Sequence, residues 1–216
     1  NVWIHNYPRC FKYQIKSKKL ELVDFSLHNN HKTIPGCLWL DQNDILWLAY
    51  PNVGIGQYNS QKNKITLIGD HPHTPLEMYD YGKDSLLIGT LSQGLFLMNK
   101  KDGKAHKVLA ENNLITDSLY INTIQRISNR QYWIGTLTGL YIMENGKIKD
   151  QIQHKWYDKR SISDQVILSI CQDKDHNIWL GTETGGVDYY NQRSSLFKTI
   201  YPDLKSKFNL GQQVKA

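Results

Sequence analysis

A short segment built around tryptophan recurs along the chain at a near-constant stride, and this regularity limits the fold more than any other feature. Residues 177–190 read NIWLGTETGGVDYY, 131–143 read QYWIGTLTGLYIM and 85–98 read SLLIGTLSQGLFLM. Two looser copies follow the same grammar, ILWLAYPNVGIGQY at 45–58 and VWIHNYPRCFKY at 2–13. Aligned on these segments, Trp3, Trp47, Leu87, Trp133 and Trp179 share one register, with intervals of 44, 40, 46 and 46 residues. Four of the six tryptophans fall on it, so chance placement is excluded.

The same elements surround each anchor. Before Trp179 come an apolar stretch at 166–171 and a polar turn at 174–177. After it come a glycine turn at 185–186, an alternating stretch at 187–190, a polar turn at 191–195 and an aromatic stretch at 196–201. The stretch at 121–127 and the turn at 128–130 repeat the pattern before Trp133. Runs of four to seven residues bounded by turn signals read as strands, and no long window shows helical periodicity. Four strands repeating every 40 to 46 residues match a propeller blade and are too long for a leucine-rich or ankyrin unit. The fold expected is therefore all-β: about five propeller blades, each a four-stranded antiparallel sheet. The repeats are placed at about 1–25, 26–69, 70–109, 110–155 and 156–202, with 203–216 leading into a further blade.

Blades pack face to face, so the anchors read as structure. The tryptophans and Leu87 would fill the wedge between neighbouring sheets. Gly89, Gly135 and Gly181 would sit where a neighbour leaves no room for a Cβ. Thr90, Thr136 and Thr182 would satisfy backbone groups at strand ends. Five units that begin and end in mid-repeat imply a segment of a larger array. Closure of the five alone, with the last strand completing the first blade, is the alternative.

The run from Leu168 to Val187, in which isoleucine, aspartate, Asn-Ile-Trp-Leu-Gly-Thr and Gly-Gly-Val keep fixed places, resembles the two-component regulator propeller repeat. The unit at 166–190 matches best, 121–143 well and 85–98 recognisably. Ala49-Tyr50 and His5-Asn6 depart from Gly-Thr, and Leu87 from tryptophan. The resemblance implies the periplasmic sensor region of a hybrid two-component system of the Bacteroides type, held at the inner membrane. It further implies more blades, an immunoglobulin-like domain, a membrane helix and a histidine kinase elsewhere in the same protein. A homodimer is left open.

Composition narrows the classes of partner. The 216 residues carry a net charge of +6 and include 21% charged residues. That is a mild bias toward anions, not the basic stripe of a nucleic-acid binder. No apolar run approaches the roughly 18–20 residues of a membrane helix. Three cysteines are too few for a disulfide framework. Cys37 and Cys171 read as small buried hydrophobes in first strands.

In a propeller, the loop leading into each blade and the turn between its second and third strands share one face, where function usually lies. The lead-in loops are placed at 26–36, 70–77, 110–120, 156–165 and 203–213, and the inter-strand turns at 6–9, 50–54, 91–93, 137–138 and 183–185. The ligand-binding candidates on these segments are Arg9, His31, His71, His73, Trp156, Tyr157, Lys159, Arg160 and Glu183. Aromatic faces at Trp156 and Tyr157 suit sugar rings, and the cations beside them suit carboxylate or sulfate. Read instead as a counterpart of 196–200, the two aromatics would pack. The stretch 173–177 begins like a calcium loop but lacks its glycine and terminal glutamate, so a strand-connecting turn is expected. No metal ligand set, cofactor motif or nucleophile constellation emerges. The function expected is sensing of a small molecule or oligosaccharide without catalysis. The competing readings are a protein-interaction scaffold and a polysaccharide-degrading enzyme.

Overall fold

A computed structural model describes residues 1–29, 31–69, 74–112, 114, 116–158, 160–191 and 196–200. The described residues contain strands and turns and no helix, so none is long and apolar enough to cross a membrane. The chain divides into two compact units, Asn1–Leu91 with Phe96–His106, and Ser92–Leu95 with Lys107–Ala216.

The first unit opens with a three-stranded antiparallel sheet of β1 (Val2–Asn6), β2 (Arg9–Gln14) and β3 (Lys19–Val23). A small hairpin follows, β4 (Leu27–Asn29) and β5 (His31–Thr33), where the sequence suggests an irregular loop. Cross-strand pairing runs from Leu27↔Thr33 to Asn29↔His31, a pairing that no repeat pattern announces. The second sheet runs β6 (Cys37–Leu40), β7 (Leu46–Tyr50), β8 (Gly54–Asn59) and β9 (Lys64–Ile68). The third runs β10 (Pro75–Tyr81), β11 (Ser85–Thr90), β12 (Leu95–Asn99) and β13 (Ala105–Lys107), all but its residues Leu95 and Lys107 lying in this unit.

The second unit holds a fourth sheet, β14 (Ile121–Arg126), β15 (Gln131–Thr136), β16 (Gly139–Glu144) and β17 (Lys147–Ile152). Its fifth sheet is β18 (Ile167–Gln172), β19 (Ile178–Thr182), β20 (Val187–Asn191) and β21 (Leu196–Ile200). Each four-stranded sheet keeps its strands in chain order, the up-and-down topology of a propeller blade. Among the described residues the first sheet has three strands, as expected of a unit that opens in mid-repeat; the 203–216 stretch lies outside the described residues.

Trp47, Leu87 and Trp133 are buried packing units, whereas Trp3 and Trp179 are only half-buried. Trp47 is fully buried in a cluster with Cys37, Ala49 and Ile55 of its own sheet and Met78, Leu86, Ile88 and Met98 of the next. Trp133 packs with Leu140 and Ile142 against Ile167, Ile170, Ile178, Leu180 and Phe197 of the fifth sheet. Trp3 meets Phe25 and Tyr58 at ring-centroid distances of 5.6 and 5.9 Å, and Leu87 is fully buried. Trp179 is only half-buried, its ring tilted against Tyr189. A Cβ on Gly135 would come within 2.8 Å of Ile167 Cγ2 in the next sheet, so glycine there is a packing requirement. The Thr136 and Thr182 hydroxyls each donate at 2.8 Å to the carbonyls of Gly139 and Gly186, closing the second-to-third-strand turn.

Cys171 corrects the sequence reading. Its neighbour Ile170 points into the core, and strand alternation turns Cys171 outward, where it is exposed. Cys37 is buried, which pushes its thiol well above the ordinary value, with the Glu77 charge adding to the effect.

Candidate functional site

Two loops and one turn of the second unit build an open cavity of about 480 Å³. Leu114 and Leu119 come from the loop leading into β14, and Leu137 and Thr138 from the turn between β15 and β16. Ser118, Tyr120, Tyr141, Gln151 and Gln153 complete the lining. The cavity thus lies where a lead-in loop and a second-to-third-strand turn converge, on the face of the fourth sheet that the repeat geometry marks for function. Its chemistry is mixed: leucine side chains, two phenol rings, hydroxyls and carboxamides, with no ionised lining group.

Thr138 ties this wall together. Its amide donates to Thr136 Oγ1 at 2.9 Å, and its carbonyl accepts both Gln151 Nε2 at 2.8 Å and Gln165 Nε2 at 2.7 Å. Gln165 belongs to the loop leading into the fifth sheet, so the β15–β16 turn, β17 and that loop are joined at one carbonyl.

That second loop, 153–166, is held from within. Asp158 N donates to Lys155 O, Ser161 N to Asp158 O, and Lys155 N to Ser161 Oγ. His154 Nδ1 stands 2.7 Å from Ile162 O, and Ile162 is fully buried. Asp188, fully buried on β20, accepts Ser163 N at 2.7 Å and Ser163 Oγ at 3.1 Å, while Thr199 Oγ1 donates to its other oxygen at 2.8 Å. Burial raises the Asp188 carboxyl above its ordinary value despite these bonds. Asp164 closes the loop on the turn of its own sheet, accepting Thr184 N at 2.7 Å and Thr184 Oγ1 at 2.6 Å. Burial raises its carboxyl, but the Thr184 bonds and backbone N–H groups outweigh that and hold it below the ordinary value.

On this frame Trp156 and Tyr157 project outward. Trp156 is 86% exposed and Tyr157 68%, with their rings 5.5 Å apart edge to face. The packed alternative for these two is thereby corrected. The last strand of the fourth sheet ends at Ile152, and the aromatics sit in the turn beyond it.

Arg160 is exposed beside them and pairs with Asp158 at 3.2 Å. Glu183, half-buried, lies in the neighbouring turn, its amide bonded to Val166 O at 3.1 Å. Arg9 is exposed at the start of β2 in the other unit. His31 lies on β5, but its side chain, like His71, His73 and Lys159, falls outside the described residues. Of the expected residues, the structure therefore brings Trp156, Tyr157 and Arg160 onto one loop, beside the Glu183 turn. Tyr120, Tyr141, Gln151 and Gln153 were not singled out from the sequence. The signal for Gln151 and Gln153 was their alternation at the end of a last strand, just before a lead-in loop.

Among the described residues no group of three or more His, Cys, Asp or Glu side chains stands together as a metal site. The 173–177 stretch is the expected turn: Asp173 Oδ1 accepts Asp175 N and Asn177 N, both at 2.9 Å, and Oδ2 accepts the Trp179 indole at 2.9 Å. The Trp179 bond, then Asn177, holds that carboxyl below its ordinary value.

Successive four-stranded antiparallel sheets, each with its strands in chain order, define a β-propeller segment. Residues 161–184 match the model of the two component regulator propeller family. The whole chain is similar in fold to the extracellular domain assigned to the hybrid two component system BT4673 of B. thetaiotaomicron, with a TM-score of 0.69 at 20% identity over 93% of this chain and 26% of that one. The corresponding domain of BT3049 from the same organism aligns with a TM-score of 0.69 at 16% identity, over 95% of this chain and 28% of that one. PorZ of Porphyromonas gingivalis, a surface component of the type-IX secretion system, aligns with a TM-score of 0.71 at 13% identity, over 98% and 34%. The chain thus spans about a quarter to a third of these structures. No curated protein matches it.

Proposed function

We propose that this chain is a ligand-sensing part of the extracytoplasmic region of a hybrid two-component sensor, and that its ligand is a carbohydrate. The observation that carries the reading is the tyrosine- and carboxamide-lined cavity, with the exposed Trp156–Tyr157 pair on the loop that follows its Gln153. Aromatic faces take up the apolar faces of sugar rings, while amide and hydroxyl groups exchange hydrogen bonds with their hydroxyls. The role of this segment is binding, not catalysis. Ligand bound across the 110–120 and 153–166 loops favours one arrangement of the two over others, and such a population shift is what a downstream kinase would read.

Titration calorimetry of the 216-residue chain against neutral and acidic oligosaccharides tests this. A saturable heat with at least one class is expected, weakened about tenfold or more by Trp156→Ala. Flat traces across both classes overturn it. The 86% exposure of Trp156 favours a second reading, a protein-docking face. In that case Trp156→Ala abolishes capture of a protein partner while oligosaccharides produce no heat.

A further inference from the structure

The hydrogen bonds in the wall of the loop cavity run in one direction. A carbonyl can only accept, so the Gln151 and Gln165 carboxamides that meet Thr138 O at 2.8 and 2.7 Å turn their nitrogens toward it and their oxygens away. Gln165 Oε1 then accepts from His154 N at 3.0 Å. Gln151 lines the cavity, paired across β16 and β17 with Tyr141. Its Oε1 is not among the enclosed polar atoms of the described residues, so it faces the opening as an acceptor. The exposed Thr138 hydroxyl is set in the same sense. Thr136 Oγ1 spends its hydrogen on Gly139 O at 2.8 Å, so in the 3.2 Å contact between the two threonines Thr138 is the donor. What this wall presents to a ligand is therefore oxygen lone pairs. Hydroxyl or N–H groups complement them, whereas a carboxylate or sulfate at neutral pH brings only lone pairs of its own.

The cations flanking the 110–120 loop are already matched. Lys107 Nζ lies 2.6 Å from Asp117 Oδ1, and Lys149 and Lys147 lie 2.5 and 3.5 Å from the two oxygens of Glu111. An anionic ligand would have to displace those carboxylates, because no lysine, arginine or histidine lines the cavity. The two residues of this loop outside the described set, 113 and 115, are Asn and Ile and carry no charge. Leu114, Leu119 and Leu137 add an apolar surface, which raises the cost of bringing an unpaired charge there. The net charge of +6 is thus a poor guide to what this cavity accepts.

We propose that the loop cavity selects an uncharged, hydroxyl-bearing sugar over a uronate or a sulfated one, and that Gln151 sets the choice. This rests on the carbohydrate reading of the cavity and narrows it to one class.

The test is titration calorimetry of the 216-residue chain with cello-, galacto- and manno-oligosaccharides, and with the same sugars after oxidation of their primary hydroxyls to carboxylates. Galacturonate and chondroitin sulfate oligosaccharides complete the acidic set. At least one neutral sugar should bind, and its oxidised counterpart should bind about tenfold or more weakly. Gln151→Lys keeps a donor for the Thr138 carbonyl but replaces the acceptor with a cation, so it should shrink or reverse that preference. A purely structural role would instead lower both affinities together and leave their ratio alone. If Gln151→Lys does not fold, Gln151→Ala decides: only the neutral sugar should weaken, about tenfold. Equal or tighter binding of the acidic sugars, or a preference unchanged in the Gln151 variants, overturns the proposal and leaves the carbohydrate reading in place. No heat with any of these sugars brings down the carbohydrate reading itself, and this selection with it.

Discussion

At the scale of single residues, the turn aspartates show how a repeat carries both packing and polarity. A tryptophan large enough to fill the wedge between blades brings an N–H into the core, and that donor must be satisfied. Asp41 and Asp173 do so from the turn preceding the anchor strand, and each also accepts backbone amides there, fixing a turn in which Asp44 and His176 adopt positive φ. Glu77 is a different case. The residues paired opposite Ala49, Gly89, Gly135 and Gly181 are Cys37, Glu77, Thr123 and Ser169, so one sheet places a carboxyl where the others have small side chains. Burial pushes Glu77 up to about 7 from an ordinary 4.5. Between these values the folded chain keeps a proton that the unfolded chain has lost, so stability falls as pH rises through that window. Glu77→Gln removes the titration. Urea unfolding at about pH 5 and pH 8 should show the variant gaining about 2 kcal/mol relative to the parent at the higher pH, after discounting for partial exposure. A difference independent of pH would refute the assignment.

At the scale of elements, the notable contacts join pieces distant in the chain. Lys100, buried after β12, donates to Asp41 Oδ2 at 2.8 Å and to Asp80 Oδ1 at 2.6 Å, tying the second sheet to the third. Burial alone would raise the Asp41 carboxyl, but the bonds from Lys100 and Trp47 outweigh it and hold it below the ordinary value. Removing one member leaves a buried charge unpaired. Lys100→Ala should therefore cost about 3 kcal/mol, measured as a drop in unfolding free energy, and Asp41→Asn should cost less in the Lys100→Ala background than alone. The 153–166 loop depends in the same way on Asp188, which holds Ser163 from below. Asp188→Ala should free that loop while the sheets persist, seen as faster tryptic cleavage after the exposed Arg160. Unchanged cleavage would show that Asp164 alone suffices.

At the scale of the whole molecule, the sequence was strong where information is local. The period of the anchors and the alternation between turn signals placed the four strands of the Trp179 sheet, and the first strand before Trp133, to within about a residue, because blade topology is set by short segments that pair with their immediate neighbours in the chain. The candidate site was legible only in part. Trp156, Tyr157 and Arg160 could be picked out by side-chain chemistry, but the Tyr120, Tyr141, Gln151 and Gln153 wall could not, since each alone is an ordinary blade residue. Cys171 was misjudged because an apolar stretch does not reveal which of two adjacent residues faces the core. By itself, then, the sequence determined that this protein is a run of four-strand repeats anchored on tryptophan. Tertiary structure decided which polar groups meet: Lys100 with an aspartate 59 residues away, and two glutamines with one threonine carbonyl. The reason is physical. Strand pairing is fixed by neighbours along the chain, whereas partners for buried donors and charges come from whichever side chains packing brings within hydrogen-bond reach.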